Sequence, residues 1–203
     1  MSEYNIYSIS SYNTISYDCK VESVGENSFV ILEEETPNPP AFPINTYDIV
    51  RVTVSQNGIN KQVYGVYENQ TYDGTDYRVI VGFDSNVYGN LIEANTDIIV
   101  LEYYPLPTTP IVELKSYNLS PNIQVATYGK SFNAYNVRES YTITAPKERI
   151  DYNSSFRELY SIDEKVLVDA CSNKCYKVSP TELSAIALNG RVTTALNFNV
   201  LIK

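Results

Sequence analysis

The chain has no histidine and no tryptophan, only three cysteines, and eight scattered glycines in 203 residues. Lack of histidine excludes the commonest acid–base group of neutral pH. With it go the Ser-His-Asp and Cys-His nucleophile systems and His-ligated zinc. Catalysis would have to run on carboxylates, lysine or tyrosine, and the expectation is a protein that is not an enzyme. Cys19, Cys171 and Cys175 are an odd and sparse set, unlike a disulfide framework. The opening MSEYNIYSIS carries neither the basic stretch nor the apolar core of a secretory leader, which predicts a reducing cytoplasm. The sequons at Asn69, Asn118 and Asn153 then read as chance matches. No apolar run approaches the ~18 residues of a membrane helix, so no membrane partner is expected. Gly25, Gly58, Gly65, Gly74, Gly82 and Gly89 stand alone, so no phosphate-cradling loop is present and no cofactor is expected.

What the chain does have is tyrosine, 19 of them, beside 6 phenylalanines. Tyrosine favours strands and half-exposed faces. Charge is uneven. Residues 1–110 hold 15 acidic side chains against 4 basic, and residues 111–203 hold 9 against 11. A net charge of −9 repels nucleic acid. The asymmetry suits copies meeting acidic face to basic face, or simply a solvated acidic surface.

Residues 1–17 are polar and weakly periodic, an edge strand or an arm that orders on a partner. Strand signals follow at Cys19–Val24 and 28–34, separated by Gly25-Glu26-Asn27. TPNPPAFP, residues 36–43, holds four prolines in eight positions and reads as a stiff extended loop. Residues 46–55 alternate, with Ile49, Arg51 and Thr53 on one face and Val50, Val52 and Val54 on the other. Asn57-Gly58 is a two-residue hairpin turn into a strand over 59–67. Further strands are expected at 76–83 and 97–104. Turn residues recur every ~8–12 positions, the spacing of a sandwich or barrel. The chain is therefore expected to be mainly β. An acidic antiparallel β-barrel or sandwich occupies 18–104. The Pro-rich strap 105–110 follows, and then a smaller β-rich domain, 111–203, with one or two short helices. In that second part, 123–128 and 140–144 read as strands and 154–160 as a short helix. Residues 165–170 and 176–178 read as a hairpin around CSNKC. Ser179-Pro180-Thr181-Glu182 is a capping box opening a helix near 180–188. Residues 191–202 alternate as an amphipathic strand that closes the chain's own sheet or joins a neighbour's.

Candidate chemistry is thin. Cys171-Ser-Asn-Lys-Cys175 has one residue too many for a thioredoxin-like or zinc-knuckle pair. Its cysteines could cross-link across a hairpin turn, or be two semi-buried hairpin residues. Asp73, Asp76, Asp84 and Asn86 offer turn oxygens, but no calcium-loop pattern surrounds them and local Asx bonding accounts for them. Glu33-Glu34-Glu35 reads as a solvated strand end, because adjacent carboxylates on a strand project to opposite faces. No metal site is assigned. Within 63–83, Tyr67 and Tyr77 read as sheet packing, leaving Tyr64 and Tyr72 as exposed contacts.

In texture the chain resembles the accessory structural proteins of tailed-bacteriophage virions. It shares their Asn/Tyr/Ser/Ile bias, short strands, proline straps (TPNPPAFP and PLPTTP) and strand-like ends. The resemblance implies a non-enzymatic role in a virion assembled in the host cytoplasm. Copies would contact one another and other virion proteins in a ring or lattice at neck, tail or capsid surface. Candidate contact residues are Tyr4, Tyr7 and Tyr12 in the arm, Pro37, Pro39, Pro40 and Phe42 in the strap, Tyr64 and Tyr72 in the hairpin, and Leu196, Phe198 and Val200 in the terminal strand. The alternative is a carbohydrate-binding or adhesin-like module with tyrosines as its platform.

Overall fold

Valine-rich alternating segments joined by tight turns fold back on themselves. In the computed structural model, which describes residues 4–33, 41–106, 109–127, 135–151, 154–181 and 191–202, that local rule builds a barrel. The chain enters through β1 (Tyr4–Ile9) and β2 (Asn13–Ile15). It then lays down β3 (Cys19–Val24), β4 (Ser28–Glu33), β5 (Ile49–Gln56), β6 (Ile59–Tyr72), β7 (Tyr77–Gly82) and β8 (Thr96–Tyr104). Antiparallel pairing runs β8-β3-β4-β7-β6-β5, and β5 pairs back onto β8. The six strands therefore close. β2 and β3 lie along one edge of β8, at 101–103 and 96–98, as one interrupted strand. The Asn57-Gly58 turn holds both residues at positive φ, 53° and 75°, the twist a two-residue hairpin requires. One turn of helix, α1 (Ser85–Tyr88), fills the connection to β8 and is capped by the Asp84 carboxylate, which accepts from Asn86 N at 3.1 Å.

The second sheet comprises β9 (Val112–Leu114), β10 (Asn118–Thr127), β11 (Tyr135–Asp151), β12 (Glu164–Asp169), β13 (Lys174–Pro180) and β14 (Arg191–Val200), with a short helix, α2 (Ser155–Leu159), between β11 and β12. Its order is β10-β11-β14-β13-β12-β1-β9. Here lies the main departure from expectation. Residues 4–9 are neither an arm nor an edge. β1 pairs with β12 on one side and β9 on the other, with Ile6 opposite both Leu167 and Val112. Both faces of β1 are covered, Ile6 on one and Tyr7 and Ile9 on the other, all at most 5% exposed, which suits an internal strand. The domain boundary at 18 is thus crossed by the fold: the first strand belongs to the second sheet.

The terminal strand closes the chain's own sheet, between β11 and β13. The hairpin around CSNKC forms, as does the short helix within 154–160. Pro180 ends β13, and residues 182–188 of the helix expected near 180–188 lie outside the described residues.

The second sheet packs on the outer wall of the barrel, which explains why both faces of some barrel strands are buried. In β5, Ile49, Val50, Val52 and Val54 are all at most 1% exposed. The core is continuous, with Phe29 and Phe83 edge-to-face at 5.3 Å and Phe198, Tyr176 and Tyr88 each at most 1% exposed. Each such side chain contributes roughly 1.5–3 kcal/mol by leaving water. At the contact, the tip of the β12–β13 hairpin sits on Gly82. A Cβ there would lie 2.6 Å from Asn173 Cβ and 2.7 Å from its carbonyl oxygen. Asn173 Nδ2 donates to Glu68 Oε1 at 3.0 Å across the same contact. Gly82 is therefore the seat on which the two layers meet.

Candidate functional site

Six of the nine described candidate contact residues lie in the chain's own core. Tyr7 is 5% exposed, Phe42 2%, Tyr64, Leu196 and Phe198 1% each, and Val200 5%. Phe42 stacks edge-on against Tyr17 at 5.4 Å, and its N–H donates to Gln70 Oε1 at 3.0 Å. Tyr64, expected at the surface by alternation, is covered because the outer face of β6 lies under the second sheet. Leu196, Phe198 and Val200 face inward from an internal strand. Tyr4 is half-buried, edge-on to Tyr117 at 5.2 Å. Tyr72 remains at the surface, 47% exposed, stacked on its cross-strand partner Tyr77 at 4.7 Å. Pro37, Pro39 and Pro40 lie outside the described residues.

Tyr12 leads instead to a polar cluster between the layers. Arg51 on β5 grips Glu102 on β8 with two parallel bonds, Nε to Oε2 at 2.7 Å and Nη2 to Oε1 at 2.8 Å. Its Nη1 reaches Glu164 of β12 at 3.4 Å. Glu164 also accepts from Tyr12 OH at 2.5 Å and pairs with Lys177 Nζ of β13 at 2.6 Å. The Arg51 guanidinium lies 3.9 Å over the Tyr12 ring. Two cations and two carboxylates thus balance, with side chains only 14–16% exposed. Burial, the largest single influence, opposes the Arg51 charge, but Glu102 and Tyr64 together outweigh it and the pKa is raised. Burial and the Glu164 carboxylate push the Tyr12 phenol up, fixing it as a donor. The alternation of β5 shows Arg51 sharing a face with Ile49 and Thr53. What it lacks is any trace of Glu164, which lies 113 residues away.

A second cluster repeats the theme. Asp84, besides capping α1, accepts from Tyr176 OH at 2.6 Å and faces Lys174 Nζ at 3.7 Å. Asp169 takes Tyr117 OH at 2.9 Å and the backbone N–H groups of Cys171 and Ser172 at 3.1 Å each, forming the hairpin turn. These oxygens are spent on structure. Among the described residues no group of three or more His, Cys, Asp or Glu side chains is arranged to hold a metal ion.

Beside the first cluster a cavity of about 470 Å³ opens between the α2–β12 connection and β13, lined by Tyr160, Ile162, Lys165, Lys177, Val178 and Leu201 among others. Lys165 is 3% exposed and donates to Ser161 O, Ser161 Oγ and Asp163 O. Burial lowers its pKa against the pull of the Glu158 and Asp163 carboxylates. With three acceptors around its three hydrogens, it clips the connection to β12 rather than offering a nucleophile.

The cysteines behave as hairpin residues. Cys175 faces Val168 in the ladder and is fully buried, with burial raising its thiol pKa; Cys171 sits exposed in the turn. No disulfide joins any of the three. Glu33 corrects the reading of a solvated acidic end: it is 1% exposed, on the same face of β4 as Phe29 and Ile31.

At one margin of the second sheet the ladder narrows to two strands. β14 leaves β11 at the pair Tyr141–Val200, whereas β10 and β11 stay paired from Asn122–Ser140 through to Thr127–Tyr135. Six residue pairs, about 20 Å at ~3.4 Å per residue, form a ribbon two strands wide. No helix among the described residues is long and apolar enough to cross a membrane. Comparison of the chain with protein-family models, curated proteins and solved structures finds no match.

Proposed function

We propose that the protein is a non-enzymatic building block of a larger protein assembly, acting through protein–protein contacts in a ring or lattice. Among assemblies of that kind, the accessory parts of a phage virion fit its sequence texture. The observation that carries this reading is the β10–β11 ribbon. A free two-stranded ribbon is marginal in water, so one that extends past its own sheet is best accounted for by a surface that receives it. The charge-balanced junction supports the same reading, because it fixes the barrel rigidly to the sheet that carries the ribbon. The contacts are assigned to that ribbon rather than to the two chain ends.

Light scattering on the eluting protein across a concentration series tests this. Assembly should be lost when residues 123–139 are replaced by Asn-Gly, with the thermal transition of the barrel retained. A parent that stays monomeric, captures no protein and binds glycans through Tyr72 would overturn the proposal in favour of the carbohydrate-binding alternative.

A further inference from the structure

We propose that the outer edge of β10, over residues 123–127, pairs antiparallel with the same strand of a second copy about a two-fold axis; this rests on the assembly reading above. β10 ends its sheet: its inner side pairs with β11, and no strand among the described residues takes its outer side. The opposite margin, β9, is only three residues long, and the barrel is closed.

Pro121 sets the phase of that edge. A proline has no N–H, so within a ladder its nitrogen faces away from the paired strand. Pro121 lies in register opposite Tyr141 of β11. Odd-numbered residues of β10 therefore direct N–H and C=O outward. Pro121 silences the first half of the row, and residues 123, 125 and 127 leave the second half open. With residue 125 on the axis, 125 meets its own copy and 123 meets 127 of the other chain. Each such pair exchanges two bonds, about six in all.

The sequence favours a second copy as the occupant. Residues 118–127, NLSPNIQVAT, carry no charge in a chain of net charge −9. Two acidic molecules repel least along a neutral strand, whereas a basic partner would be drawn to the acidic barrel. Edges that must stay single are usually guarded by charge or proline, and here the guard stops at 121.

Two variants test the pairing. Val125→Pro removes an outward N–H and leaves the ladder to β11 intact. Val125→Cys in a Cys171→Ser background brings two thiols together across the axis, at a Cα separation of about 5.5 Å that a disulfide spans. The parent should pass from monomer to dimer with rising concentration in light scattering. The proline variant should stay monomeric with an unchanged barrel melt. Mild oxidation should cross-link the Val125→Cys protein but not an Ile59→Cys control at the exposed barrel turn, where Ile59 is 59% exposed. A proline variant that dimerises like the parent, or a Val125→Cys protein that fails to cross-link, overturns the β10 pairing and leaves assembly to another surface. A parent that stays monomeric and assembles only with a different protein overturns the second copy as occupant while leaving the building-block role in place. A parent that is monomeric and assembles with nothing removes both.

Discussion

The barrel and the second sheet are both antiparallel, but one closes and the other does not. Each barrel strand is paired on both sides, β5 sealing against β8, and its hairpins join neighbours in sequence. The sheet gathers strands from both ends of the chain, β1 beside β12 and β14 beside β11, and leaves β10 and β9 at its margins. Closure removes the unpaired backbone that another chain can read, and openness keeps it. A protein built of one of each has a closed body and, among the described residues, a sheet with two margins. Beside the continuous core, a polar joint links them: Glu164 gathers Arg51, Lys177 and Tyr12, and Gly82 admits the hairpin tip.

The sharpest way to break the comparison is at that joint. Glu164→Gln leaves Lys177 without its carboxylate and Arg51 with one partner. Removing one member of a buried ion cluster typically costs roughly 3–5 kcal/mol. Urea unfolding should fall by that order, and hydrogen exchange should show β1 and β12 losing protection before β4 and β7. Equal loss in both layers would mean that they unfold as one unit. Adding Lys177→Met should restore part of the loss, because the stranded charge goes with it. Next in size is Gly82→Ala. Its methyl would meet the Asn173 backbone, and forced overpacking of this kind costs about 1–3 kcal/mol. The same exchange measurement should place the loss in the β12–β13 hairpin. A neutral substitution would show that the tip can move aside.

The unequal legibility of the two regions has the same origin. Barrel strands and turns are written locally: Val50, Val52 and Val54 alternate, and Asn57-Gly58 closes the hairpin behind them. β3 coincides with its expected span, Cys19–Val24. The place of β1 is not local, because Ile6 pairs opposite Leu167, 161 residues further along the chain. The contact residues failed for a related reason. Exposed tyrosine and buried tyrosine look alike in an alternating strand, and Tyr64 is decided by what the second sheet covers. Arg51 and Glu164 are ordinary charged residues until the topology sets them side by side. The ribbon leaves a fainter mark, a charge-free stretch with one proline, which reads as an ordinary strand until its register with β11 and β14 is known.

The smallest effect belongs to the exposed turn between β6 and β7, and it sets the baseline against which the joint is judged. Asp73 accepts from Thr75 N at 2.9 Å and Asp76 N at 3.0 Å and pairs with Arg78, which also holds Glu22. The N–H groups of Asp76 and Thr75, then Arg78, draw its pKa down to about 2 from an ordinary 3.8. A lowered carboxyl pKa means that the folded state binds its proton less readily than the unfolded chain. Its stabilising contribution is therefore complete above 3.8 and is lost as pH falls through about 2. Asp73→Asn keeps an acceptor for the turn N–H groups and removes the ion pair. The parent should melt slightly above the variant at neutral pH, and the gap should close on acidification. Being exposed, it should also narrow with added salt. An NMR titration of the Asp73 carboxyl gives the direct reading, with a midpoint near 2. A midpoint near 4 would show an unconstrained turn and would leave the contrast between layers resting on the joint alone.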